Sequence, residues 1–228
     1  MARVARLAAV PLAGVSLAAY AALQVLGRTA GTTGAERRQQ LPGDELVDFA
    51  TIVTEHAIDA AAEPEEVWPW LTQFGWHLGG WYTPRWVDRV LFPGNWPSLD
   101  RLDLALVRDL RAGDLIPDGP PGTVFFRVAT AEPPHVLVLR SATHVPQGWQ
   151  RYGAAIDWTW CFALARLAPR RTRVRLRVRA RTAPWWLTTA YRVGLVPGRL
   201  CHGDGHAAGP EAARRGSPPA SGLGPRPA

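Results

Sequence analysis

From Arg171 to Arg181 an arginine stands at every second position, Arg171, Arg173, Arg175, Arg177, Arg179 and Arg181, with Thr172, Val174, Leu176, Val178 and Ala180 between them. A repeat of two is the signature of a β-strand with one face to the core and one away from it. A second segment close before it in the chain obeys the same parity. Trp158, Trp160, Phe162 and Leu164 are bulky and alternate with the smaller Thr159, Cys161, Ala163 and Ala165. The bulky set is expected to face the core, and the short link between the two segments makes them antiparallel neighbours.

Further strands are expected over Thr51–Ile58 and, after the segment Arg111–Ile116 that reaches Pro117, over Thr123–Ala131, His135–Ser141 and Asp157–Leu167. Helices come from the wider repeat. Val67, Trp70, Leu71 and Phe74 stand at i, i+3, i+4 and i+7 behind Pro64, Glu65 and Glu66, which suit a first helical turn, and Pro69 predicts a local kink. Thr83 and Pro84 cap a second helix with Trp86, Val87, Val90 and Leu91 on one stripe. Pro184 opens a last helix with Trp186, Ala190 and Val193 on its stripe, ending by Pro197 and Gly198. Few helices around a run of antiparallel strands make the class α+β.

The apolar run from Leu7 to Leu26 is long enough to span a ~30 Å hydrocarbon core as a helix. Residues 1–27 are therefore expected to form a transmembrane or signal-anchor helix, and the protein to be a single-pass membrane protein. A leader cleaved near Ala19-Tyr20-Ala21, giving a secreted protein, is the alternative. Residues 28–43, without apolar periodicity, read as a tether. Residues 44–196 form the domain, and the Gly/Pro/Ala/Arg-rich residues 197–228 a disordered tail.

Composition removes several functions. All 26 basic residues are arginine, for a net charge of +7, which bears on non-specific association with anionic surfaces and not on fold. The two cysteines, Cys161 and Cys201, support neither a disulfide framework nor a structural zinc site. No Gly-rich phosphate loop, dinucleotide fingerprint or haem-attachment motif is present, so no cofactor is expected. Cys201, His202, Asp204 and His206 are dense in ligand atoms, but their spacing fits no common zinc motif, and no metal site is assigned. The arginine face lacks interleaved aromatics that would stack on bases; nucleic acid is not expected as a partner, and the face is expected to be turned to water.

Order and local motifs together resemble the START-like, or SRPBCC, superfamily, which includes polyketide cyclase/dehydrase-type proteins. Leu41-Pro42-Gly43-Asp44-Glu45-Leu46-Val47 is similar to the lead-in of actinobacterial members. Val67-Trp68-Pro69-Trp70-Leu71, Gly80-Trp81-Tyr82 and Trp86 with Asp88 are similar to their first helical pair, and Leu110 to Pro117 to their entry into the sheet. The resemblance spans residues 41–196. It implies a helix-grip (START-like) fold, a curved antiparallel sheet around a C-terminal helix, here with an N-terminal transmembrane-like helix. It also implies an apolar cavity for a small hydrophobic or lipid-like ligand, or, alternatively, a cyclase- or hydrolase-like activity on such a molecule in the same cavity. The chain departs from the resemblance at Pro197, where the tail replaces the family's long final helix and shortens the lid.

The 11 tryptophans supply candidate ligand contacts, since apolar sites are lined by aromatics with a few polar groups. Trp81, Tyr82, Trp86, Phe126, Trp158 and Trp160 are the expected lining, with Arg140 and His144 orienting the ligand. No catalytic residue is assigned: His77, His135 and His144 carry no nucleophile-base signature, and Asp88 and Asp157 are the carboxylates considered as partners. Docking of the arginine face on anionic membranes is a further alternative.

Overall fold

A computed structural model describes residues 20, 22, 24–82, 89 and 93–195. Its centre is one six-stranded antiparallel sheet of order β1-β6-β5-β4-β3-β2. The strands are β1 (Ile52–Ala60), β2 (Leu115–Pro117), β3 (Phe125–Glu132), β4 (Val136–Ser141), β5 (Ala155–Ala168) and β6 (Arg171–Ala183). Short helices accompany them, among them α1 (Gly34–Arg38), α2 (Pro64–Thr72), α3 (Gln147–Gln150) and α4 (Trp185–Ala190). After β1 the chain crosses to the opposite edge, and β2 to β6 return as a meander until β6 pairs with β1. The class is α+β, and every expected strand is present within a few residues of its expected bounds.

Parity does what the sequence demanded. Trp158, Phe162 and Leu164 of β5 are buried on the core face, joined there by Phe126, Val128, Leu137, Leu139, Val178 and Ala180. The helix α2 begins with the Glu63 N–H donating to the Glu66 side chain at 3.1 Å, starts on Pro64 and runs through Pro69. It buries Val67, Trp70 and Leu71 toward that face, and Phe74 just beyond it meets Phe162 with ring centroids 5.2 Å apart. Of the last helix, Leu187 is buried and Trp186 packs on the core, whereas Ala190 and Val193 of the expected stripe are exposed. A π-helical turn, Tyr191–Leu195, follows α4.

Three sequence expectations require correction, all at the N-terminal end or beneath it. The membrane localisation does not stand: among the described residues no helix is long and apolar enough to cross a membrane. Residues 7–19 of the apolar run lie outside the described residues, and its polar members at the far end are used within the domain. The Tyr20 hydroxyl donates to Val193 O at 3.0 Å, and Gln24 Nε2 donates to Arg192 O at 2.8 Å.

Secondly, residues 28–43 are built into the fold and do not hang as a tether. The Ala57 N–H donates to Ala30 O at 3.0 Å, which covers the free edge of β1. Thr33 caps α1 in a reciprocal box with Glu36, and Leu41 packs with Val138 and Cys161 on the outer face of the sheet. Two glycines permit the close approach. Gly31, at φ +75°, would place a Cβ 1.9 Å from Ala57 O, and Gly43, at φ +85°, would place one 2.5 Å from Val138 Cγ1.

Thirdly, the middle of the arginine face is not turned to water, whereas Arg171 and Arg181 at its ends are exposed. Arg175 and Arg177 are 7% and 5% exposed, and both clamp Glu55, itself 3% exposed. Arg175 Nη2 lies 2.6 Å from Glu55 Oε1, Arg177 Nη2 lies 2.5 Å from Glu55 Oε2, and Arg177 Nη1 lies 2.6 Å from Asp44 Oδ2. Register explains the choice, because Glu55 sits directly across from Arg177 and Asp59 directly across from Arg173. The remaining guanidinium hydrogens go to the N-terminal segment: Arg173 to Gly31 O and Glu36, Arg175 to Glu36 O and Gln39 Oε1, Arg177 to Gln39 O. A segment with no apolar stripe is thus held by charge-assisted hydrogen bonds, which are stronger than neutral ones. The Arg173 guanidinium holds the Glu36 carboxyl down from 4.5 to about 2, and Arg171 and Arg173 lower that of Asp59. Burial beneath this cover pushes the Cys161 thiol up to about 12.

The expected second helix, Trp86 with it, the tail from residue 197 and the cluster Cys201, His202, Asp204 and His206 lie outside the described residues.

Candidate functional site

The core face carries a continuous aromatic cluster contributed by three elements. β5 supplies Trp158 and Trp160, two residues apart and so on one face, with ring centroids 5.6 Å apart. β3 supplies Phe126, which is fully buried and lies 5.6 Å from Trp158 and 5.1 Å from Trp160. The link after α2 supplies Trp81, edge-on to Phe126 at 5.5 Å and to Trp160 at 5.4 Å. An isolated bridge between Gly75 and Gly80 shapes this link, and Ser98 Oγ accepts from the backbone N–H groups of Trp81 and Tyr82.

His144 borders the cluster, its ring 4.6 Å from Phe126 and 4.8 Å from Trp158. Both of its nitrogens are engaged. Nδ1 lies 2.8 Å from Ser141 Oγ, and Nε2 lies 2.8 Å from Asp118 Oδ2. Ser141, 5% exposed, donates its hydroxyl hydrogen to Phe125 O at 2.7 Å and accepts from the Thr143 N–H. Ser, His and Asp are therefore in line, yet the order does not make a nucleophile. The serine hydroxyl is spent on a backbone carbonyl, and the imidazole keeps no nitrogen for a substrate proton.

Tyr82, expected as lining, is buried but belongs to the scaffold. Its hydroxyl donates to Trp70 O at 3.1 Å and accepts from Gln73 Nε2, and burial raises its pKa. Gln73, fully buried, also accepts from Asp103 N at 3.1 Å, so one side chain ties α2, the aromatic link and the loop before β2 together. Arg140 is on the other face of the sheet. It pairs bidentately with Asp157 at 3.0 and 2.8 Å, both partners being partly exposed. The structure thus brings Trp81, Phe126, Trp158, Trp160 and His144 together and leaves Arg140 outside. Asp118, the carboxylate that meets His144, was not among the partners read from sequence. It lies 26 residues away in a Gly/Pro-rich turn that carries no periodic signal.

The hydrogen-bond accounting of the cluster is incomplete in one direction. Among the described residues the indole N–H groups of Trp81, Trp158 and Trp160 are buried and meet no acceptor. Trp81 and Trp158 are 7% and 8% exposed. Asp118 Oδ1 is likewise buried without a donor. Buried polar groups are satisfied in the great majority of cases, so three unmet donors in one cluster stand out from ordinary core packing.

No family model matches the chain, and no curated protein matches it. Among solved structures it is similar to protein MLL2253 of Mesorhizobium loti, at 12% identity over 73% of this chain and 99% of that one, with a TM-score of 0.40. It is also similar to CalU16 of Micromonospora echinospora, at 18% identity over 71% and 79% with a TM-score of 0.36. A norcoclaurine synthase point mutant of Thalictrum flavum, in complex with a transition state analogue, is similar at 12% identity over 73% and 96%, with a TM-score of 0.41.

Proposed function

We propose that this chain is a helix-grip, START-like binding domain that takes a small hydrophobic molecule against the aromatic cluster of its core face. The observation that supports this reading is the set of buried, unmet indole N–H groups of Trp81, Trp158 and Trp160. A core that needed only to be a core would place phenylalanine there, since an unpaired buried donor costs about 1–3 kcal/mol. Burial of the ligand's own apolar surface supplies affinity at ~25 cal/mol per Å².

Binding without catalysis is favoured over a cyclase- or hydrolase-like reaction because the acid-base groups near the cluster are already engaged. His144 is bonded at both nitrogens, and Asp157 is held by Arg140 away from the cluster. Native mass spectrometry of the purified chain, alone and with a panel of apolar probes, tests the proposal together with tryptophan fluorescence. A retained or added small molecule that perturbs the emission is expected. A chain that carries nothing and ignores the whole panel contradicts it.

A further inference from the structure

We infer that the preferred ligand presents a neutral carbonyl-type oxygen to the tryptophan cluster, as an aromatic ketone or quinone does, rather than a carboxylate or a plain hydrocarbon. This rests on the binding role proposed above and adds the chemical class.

The inference follows from what each polar atom at the cluster has left to give. Trp81, Trp158 and Trp160 each carry an unmet indole N–H, and indole nitrogen is a donor and never an acceptor. The other polar atoms are consumed. The Tyr82 hydroxyl is shared between Trp70 O and Gln73, the Ser141 hydroxyl donates to Phe125 O, and His144 is bonded to Ser141 and Asp118. What remains among these groups is three donors and one acceptor, Asp118 Oδ1. A matching ligand therefore supplies oxygen lone pairs to the tryptophans.

Charge decides between a ketone and a carboxylate. An anion buried here needs a cation, but His144 is already paired with Asp118 at 2.8 Å and Arg140 is paired with Asp157 on the opposite face. Asp118 Oδ1 would itself repel a carboxylate. An unpaired buried charge is far more costly than an unpaired dipole, so a neutral acceptor is selected. Flat aromatic surface suits the remaining walls, because Phe126 and the indole rings offer faces and edges to an offset or edge-on partner.

The test uses three probes of one shape, fluorene, fluorenone and fluorene carboxylate, titrated into the full chain and into Trp81→Phe, Trp158→Phe and Trp160→Phe. These variants keep an aromatic ring and remove the N–H; circular dichroism checks the fold, and using three of them keeps the test open if one fails to fold. Fluorenone is expected to bind the natural chain about 3–10-fold more tightly than fluorene, with the carboxylate weakest. At least one variant should lose most of that preference, read as the ratio of fluorenone to fluorene affinity within the same variant, the size of one neutral hydrogen bond. If fluorene and fluorenone bind equally, or the carboxylate binds best, the inference is overturned and the binding role survives. If none of the three binds to any form, the binding role fails and the inference with it.

Discussion

The two faces of this sheet solve the problem of buried polarity in opposite ways. On the outer face Glu55 is gripped by Arg175 and Arg177, and the spare guanidinium hydrogens find carbonyls of residues 31–39. On the core face three indole N–H groups are buried beside Phe126 and have no acceptor among the described residues. The outer face, which looks on paper like an anion-binding surface, is closed over its middle, at Arg173, Arg175 and Arg177, by the chain's own N-terminal segment. The core face, which looks like simple apolar packing, holds the unmet chemistry. A binding site is thus better sought where polar groups are left over than where charge is abundant.

Breaking each face separately should expose this difference. The largest effect is expected for Glu55→Ala, which leaves Arg175 and Arg177 facing each other without their shared carboxylate. Removing one partner of a buried pair typically costs about 3–5 kcal/mol, to be read from urea unfolding. By contrast, Trp158→Phe removes no made hydrogen bond, and relief of its unmet donor offsets part of the lost packing, so it should cost at most about 1–2 kcal/mol in the same assay. Equal losses at the two positions would erase the contrast.

Gly43→Ala should fall between, at about 1–3 kcal/mol, because the new Cβ meets Val138 Cγ1 at 2.5 Å and the left-handed φ of +85° disfavours any side chain. Site-resolved thiol labelling gives a second measure, since Cys161 is buried with the same cover and should react faster in this variant.

Acid sharpens the comparison further. Glu36 and Asp59 have folded pKa values lowered by their arginines, Glu36 from 4.5 to about 2. The stability they contribute is fully present above the unfolded value and is lost as pH falls toward the folded one. Amide protection in residues 31–47, corrected for the intrinsic pH dependence of exchange, should therefore fall between about pH 4.5 and pH 2 before the core strands open. Glu36→Gln should remove most of that pH dependence. The smallest effect is expected for Asp157→Asn, whose pairing with Arg140 is partly exposed and worth at most about 1 kcal/mol.

Much of the fold was legible because strand parity is a strong signal. The alternation in β5 and β6 by itself places Trp158, Trp160 and Phe162 on one face and the arginines on the other. The same rule could have corrected Arg140, which follows the core-facing Leu139 by one step and must point outward. The N-terminal cover was illegible, since it docks through backbone carbonyls that every sequence possesses, and only the unusual density of arginines opposite Glu55 and Asp59 hinted at a demand for acceptors. Asp118 was illegible for another reason. Its meeting with His144 depends on how the β2–β3 turn and the loop after β4 converge, which no local spacing encodes.

The most direct test of the central claim is the indole region of a ¹⁵N-edited NMR spectrum, with the resonances of Trp81, Trp158 and Trp160 assigned from their phenylalanine variants. In the free protein these three protons should lie at the upfield, non-hydrogen-bonded end of the 11 tryptophans. Addition of fluorenone should move at least one of them downfield. If all three already resonate as hydrogen-bonded, or if every ligand-induced shift falls on other tryptophans, the core face is not the binding site described here.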